Sequence, residues 1–231
     1  MSNEANAQIV LLLHGFAGAA IMNRPLARML RRAGYRAVEF GYDSWGQSLE
    51  RIRDRLAPRL ARLDALGADA LHIVAHSMGG LVARALIHAD RPRTLGRVVM
   101  LGTPNSGSEI ADFLDRQVML RPILGRAGPA LVTQRPADVA ALLGTVDYPL
   151  GIIAGDRPIL PIAAARLVPR PSDGKVSVAS TRLAGASDHI ILPLPHSMLP
   201  YHATAHRQVR HFLAHGRFEP SPPRGDFAGE P

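Results

Sequence analysis

Six runs of strand length punctuate this chain, at Gln8–Leu13, Arg36–Phe40, Ala70–Ala75, Val98–Leu101, Leu150–Ala154 and Ile190–Leu194, and most of them are apolar at nearly every position. A strand with one face in water alternates apolar and polar residues, whereas a continuous apolar run needs cover on both faces. Helical patterns separate the first four runs, at Pro25–Ala33, Ser48–Leu66 and Gly79–Ala89. Doubly covered strands alternating with helices specify a doubly wound α/β domain with a mainly parallel sheet of about six strands.

Between Pro104 and Pro149 the alternation stops, and short helical patterns broken by Gly and Pro replace it. This predicts a short cap insertion over about 104–147, lying above the sheet. The final stretch, FEPSPPRGDFAGEP, is rich in Pro and Gly and reads as a flexible tail. The expected organisation is a single domain over residues 8–216 with tails at 1–7 and 217–231. A chain of 231 residues, 47% apolar and 20% charged, is sufficient for one good-sized core.

The chain has no cysteine, which excludes a disulfide framework, a thiolate nucleophile and a zinc-thiolate site. Covalent chemistry therefore falls to Ser, Thr, Lys or a carboxylate. The histidines lack metal-ligand spacing and no phosphate-binding glycine loop with a lysine is present, so no metal and no cofactor is expected. The N-terminal MSNEANAQ carries an acid where a secretory signal carries Lys or Arg, and IVLLLHGF is too short to span a bilayer, so the expectation is cytoplasmic.

The formal charge of +8 comes almost wholly from arginine. On a helical wheel Arg51, Arg55, Arg59 and Arg62 share one face beside a stripe of Leu49, Ile52, Leu56, Leu60 and Leu63. A basic face can dock on anionic lipid or nucleic acid. No aromatic residues interleave with these arginines to stack bases, so a solvated outer face is expected, with no nucleic-acid partner. Weak association with an anionic membrane surface stays open.

The stretch ALHIVAHSMGGLVARAL places Ser77 at the join between a buried strand and a helix. A serine on so sharp a turn stands above the sheet edge in a strained conformation, with small residues two before and two after it. Ala75 and Gly79 hold those places, with alanine at the first position of the usual G-x-S-x-G. The competing reading is an ordinary helix cap through the Ser77 hydroxyl. Capping alone does not require small residues at 75 and 79.

A serine hydroxyl attacks only when a base takes its proton and nearby donors hold the oxyanion. The first strand ends in HGFAG, and a loop after such a strand can aim backbone amides at the same point as the residue following the nucleophile. The expected donors are the amides of Phe16 and Met78. An acid and a base should follow in that order. Two candidate acids follow the fifth strand, Asp156 beside Arg157 and Asp173 in PSDGKVSV, where the Asp-Gly turn favours Asp173. For the base, His196 leaves the last strand after a rigid proline, while His189 precedes that strand, and His202, His206, His211 and His215 recur near helical spacing.

With LLLHGFAG, AHSMGG, LGTPNSGS, PSDGKVSV and DHIILPLPHSML in the same order over most of residues 9 to 200, the chain resembles the α/β-hydrolase superfamily, in particular compact bacterial lipases and related serine esterases. The resemblance implies the α/β-hydrolase fold, a pared-down sheet without the family's first two strands, and a closing helix over Leu199–Gly216. It also implies a Ser77 nucleophile, a His196 base and an Asp173 acid, and it is the chief reason to prefer Asp173 to Asp156. The implied activity is hydrolysis of a small-molecule or lipid carboxylic ester through an acyl-enzyme. Ile110, Phe113, Leu114, Val118, Met119, Leu120, Ile123 and Leu124 of the cap are available to line an acyl pocket. The same residues could serve an acyltransferase or thioesterase. A more distant reading is a non-catalytic basic domain that binds membrane or nucleic acid.

Overall fold

Parallel pairing organises the molecule. In the computed structural model, which describes residues 8–159 and 167–220, the strands are β1 (Ile9–Leu13), β2 (Arg36–Phe40), β3 (Leu71–His76), β4 (Leu95–Leu101), β5 (Leu150–Gly155) and β6 (Asp188–Leu192). They form one sheet in the order β2-β1-β3-β4-β5-β6, and every neighbouring pair is parallel. The helices are α1 (Arg24–Arg32), α2 (Leu49–Asp64), α3 (Met78–Ala89), α4 (Glu109–Arg116), α5 (Gly128–Leu131), α6 (Ala137–Ala141), α7 (Val178–Thr181) and α8 (Ala203–His215).

The two-residue period of the strands sorts their side chains onto two cores. Ile9, Leu11, Leu13, Ile73, Ala75, Val98, Met100 and Ile152 pack against α2 and α3. Val10, Leu12, Val74, Val99, Leu101 and Ile153 pack against Leu26 and Leu30 of α1 and Val209, Phe212 and Leu213 of α8. Each fully buried Leu, Ile or Val contributes about 1.5–3 kcal/mol relative to an exposed one. The unbroken apolar runs follow from this arrangement, because both faces of the sheet are covered. On α2, Leu49, Ile52, Leu56, Leu60 and Leu63 are buried, and Arg51, Arg55, Arg59 and Arg62 are exposed. Arg59 lies over the Phe40 ring and donates to the Gly41 carbonyl.

Several boundaries differ from the sequence expectations for identifiable reasons. β6 starts two residues early and stops at Leu192, because Pro193 has no N–H to continue the ladder. His189 therefore lies inside β6, bonded to Thr181 Oγ1 at 2.9 Å, rather than before the strand. The closing helix begins at Ala203 and not Leu199, with Pro200 and a 3-10 turn at His196–Met198 intervening. The tail expected from 217 is corrected at its start: Phe218 is buried against Phe212, and the Glu219 amide donates to Gln208 Oε1. Residues 1–7 and 221–231 of the expected tails lie outside the described residues. No helix among the described residues is long and apolar enough to cross a membrane.

The excursion between β4 and β5 holds α4, a 3-10 segment at Arg121–Ala127, α5 and α6. Two arginines, Arg84 buried and Arg135 half-buried, lash it to the body. Arg84 of α3 donates to the carbonyls of Leu143 and Gly144, at 3.3 and 3.0 Å. Arg135 donates to those of Ala130, Asn105 and Pro104, each at 2.7 Å. Burial lowers Arg135 to about 10, still well above neutrality, so it stays charged in this carbonyl cage.

Candidate active site

In a doubly wound sheet the crevice forms at the carboxyl ends of the strands, where the strand order reverses. Here the chain passes from β1 outward to β2 and then returns to place β3 on the other side of β1. The loops after β1 and β3 flank that reversal, and they carry HGFAG and Ser77.

Ser77 joins β3 to α3 with φ 54° and ψ −128°, one of two non-glycine residues with positive φ among those described. Such a backbone costs on the order of 1–3 kcal/mol and persists only when its surroundings fix it. The Ser77 amide donates to the Leu101 carbonyl at 2.8 Å, and its carbonyl accepts from the Gly80 amide at 3.0 Å and Thr103 Oγ1 at 2.9 Å. Glycine is required next to the elbow by close approach. A Cβ on Gly79 would lie 2.7 Å from the carbonyl oxygens of both Leu13 and His14, and one on Gly80 would lie 2.1 Å from Thr103 Oγ1. The Ser77 hydroxyl makes no capping bond to α3. It points instead to His196 Nε2, at 3.0 Å.

His196 sits in the 3-10 turn after β6, buried with 5% of its side chain exposed. Its Nδ1–H donates to Asp173 Oδ2 at 2.7 Å. Asp173 Oδ1 accepts from the amides of Lys175 and Val176 at 2.9 and 2.8 Å, so both carboxylate oxygens are held. The His196 amide also donates to the Asp173 carbonyl at 3.0 Å, tying the two loops together. Asp156 does not reach His196; its nearest cation is Arg157, at 3.8 Å. A carboxylate bonded to Nδ1 leaves Nε2 free to accept from a hydroxyl, which is the arrangement general-base catalysis requires.

The amides of Phe16 and Met78 lie on the two loops that flank the reversal. Met78 is the first residue of α3, where an N–H has no intrahelical acceptor. Among the described residues neither amide donates to a protein group. The loop carrying Phe16 is braced by the residues after β2: Tyr42 OH donates to the His14 carbonyl, its ring stacks on His14 with centroids 4.0 Å apart, and Ser44 Oγ donates to the Gly15 carbonyl at 3.2 Å. Burial lowers the His14 pKa, so its ring stays neutral.

His76, adjacent to the elbow, is also buried. Its Nε2–H donates to the His196 carbonyl at 3.1 Å, and the two rings are 4.8 Å apart. Burial pushes its pKa well below the usual histidine value, and the neighbouring His196 adds to that push.

A cavity of about 460 Å³ opens beside Ser77 and His196. Ile110, Leu114 and Leu124 of the cap line it. Phe113, Val118, Met119, Leu120 and Ile123, available for the same role by composition, do not. Val118 and Met119 are 83% and 88% exposed, because they occupy the turn after α4 and face away from the sheet.

Sequence reasoning passed over Tyr42, Ser44 and Thr103. Each follows the carboxyl end of a strand, β2 or β4, and therefore stands on the same edge of the parallel sheet as Ser77. That position was the available signal.

A family model described as "Domain of unknown function (DUF7379)" matches residues 1–146. The 2-hydroxy-6-oxononadienedioate/2-hydroxy-6-oxononatrienedioate hydrolase 1 of Dechloromonas aromatica (strain RCB) is 32% identical over 113 residues, covering 45% of this chain and 38% of its own length. The chain thus spans well under half the length of that curated relative. Among solved structures, the mature form of Bacillus licheniformis lipase BlEst2 superposes with a TM-score of 0.73 at 20% identity, covering 93% of each chain. The Pyrococcus furiosus esterase PF2001 gives 0.64 at 16% identity, over 90% of this chain and 82% of the other.

Proposed function

This chain belongs to the family described as "Domain of unknown function (DUF7379)" and carries the α/β-hydrolase fold, and from that premise we propose that it is a serine hydrolase acting on carboxylic esters. The observation that carries the reading is the continuous hydrogen-bonded line from Ser77 Oγ through His196 to Asp173, starting at a strained elbow. A purely structural serine would not hold its hydroxyl toward an imidazole at the expense of a helix cap.

In this mechanism Ser77 Oγ attacks the acyl carbon while His196 Nε2 takes its proton, and Asp173 stabilises the imidazolium through Nδ1–H. The negative charge on the former carbonyl oxygen is received by the Phe16 and Met78 amides. His196 returns the proton to the leaving alkoxide. Water, deprotonated by His196, then cleaves the acyl-enzyme, releasing the acid and restoring Ser77. The apolar cavity takes the chain of the ester. Hydrolysis of p-nitrophenyl butyrate tests the reading. Wild-type turnover is expected to fall by at least about 10³-fold in Ser77→Ala, whereas equal rates in the two proteins would overturn it.

A further inference from the structure

Of the 27 lysine and arginine residues in this chain, all but one are arginine, and the exception, Lys175, lines the cavity beside Ser77. Its backbone is clamped from both sides. The amide donates to Asp173 Oδ1 at 2.9 Å, and the carbonyl accepts from Ser108 Oγ, at the head of α4, at 3.0 Å. The side chain therefore leaves from a fixed point between the acid turn and the cap.

The walls around it are mostly apolar, and apart from His196 it is the one basic side chain among the described residues lining the cavity. Asp173, the carboxylate in that lining, has both oxygens engaged. Among the described residues no carboxylate lies within salt-bridge distance of the Lys175 ammonium. Its charge reaches the catalytic end of the cavity, since it contributes, after burial and His196, to the low pKa of His76. A lysine suits this place: its alkyl stem can lie on apolar walls while the head stays at the wet rim. Lys175 is exposed, and its compact ammonium attracts an anionic oxygen at the cavity mouth without the fork geometry of a guanidinium.

We infer that Lys175 is a specificity-determining residue that recognises an anionic oxygen group, carboxylate or phosphate, on an ester whose apolar chain fills the cavity. The inference rests on the serine-hydrolase reading and narrows its substrate class.

The test compares matched pairs in wild type, Lys175→Met and Lys175→Arg. One pair is mono-p-nitrophenyl suberate against p-nitrophenyl octanoate, which places a carboxylate at the acyl end. The other is dioctanoyl phosphatidic acid against dioctanoylglycerol, which places a phosphate on the alcohol side. The readout is the kcat/KM of the anionic member divided by that of its neutral partner. In at least one pair this ratio is expected to fall about three- to tenfold in Lys175→Met and to stay close to wild type in Lys175→Arg. The pair that responds identifies the anionic group. A ratio equal in wild type and Lys175→Met for both pairs overturns the inference while leaving the serine hydrolase standing. Absence of any Ser77-dependent turnover overturns both.

Discussion

At the residue scale, the site consists of groups placed by their neighbours' backbone. Asp173 is held by two amides and aimed at His196, whereas Asp156 lies at a turn beside Arg157. The two carboxylates therefore separate in a simple experiment. Asp173→Asn removes the acceptor that fixes the His196 tautomer, and ester turnover is expected to drop by about 10³- to 10⁴-fold. Asp156→Asn leaves the bond between Asp173 and His196 in place, and turnover is expected to stay within about twofold. The reverse ranking in steady-state kinetics would assign the acid to Asp156. Local signatures pointed to two members of this line, small residues around Ser77 and Pro before His196, whereas Asp173 was preferred to Asp156 chiefly through the family resemblance, with the Asp-Gly turn in support. Tyr42, Ser44 and Thr103 were not, because they act on carbonyls of the elbow and the Phe16 loop, contacts that no local pattern encodes.

At the element scale, β1 and β3 were legible because burial on both faces leaves an unbroken apolar run. The limits of β6 were not, since a proline two residues past Ile191 ends the ladder while the apolar composition continues. The cap was legible as an interruption and not as a structure. Its form depends on Arg84 and Arg135 donating to backbone carbonyls, most of them about 30 to 60 residues away in sequence, and arginine count alone gives no hint of which arginines turn inward. Arg135 closes the base of the cap with three bonds to carbonyls. Arg135→Met leaves those acceptors unpaired, and the expected loss is about 2–4 kcal/mol of unfolding free energy in urea titration. The same substitution at exposed Arg55 is expected to cost less than about 0.5 kcal/mol. Equal effects at the two positions would contradict the anchoring role.

At the scale of the whole molecule, the reversal of strand order between β1 and β3 brings together loops separated by more than sixty residues, and the doubly covered sheet holds them rigid. The same sheet carries a built-in pH dependence. At the irregularity between β3 and β4, His72 Nδ1 accepts from the Arg97 amide at 2.8 Å and its Nε2–H donates to Gln8 Oε1 at 3.2 Å, an arrangement that requires a neutral ring. Burial, helped by Arg97, lowers its pKa from 6.5 to about 4. The unfolded chain binds this proton near pH 6.5 and the folded chain only near 4, so the unfolded state gains protons first as pH falls. Stability is therefore full above about 6.5 and declines down to about 4, with His72 accounting for on the order of 3 kcal/mol. Urea midpoints measured from pH 7.5 to 4.5 should fall in wild type and fall less steeply in His72→Gln, the remaining slope belonging to buried His14 and His76; parallel curves would exclude His72 as a source.

If Ser77 is the nucleophile, it reacts covalently with a fluorophosphonate, and intact-mass measurement after that treatment reads the reaction. A single adduct is expected on the wild type, mapped by peptide sequencing to Ser77 and absent from Ser77→Ala. Unlabelled wild type, or an adduct that persists in Ser77→Ala, would contradict it.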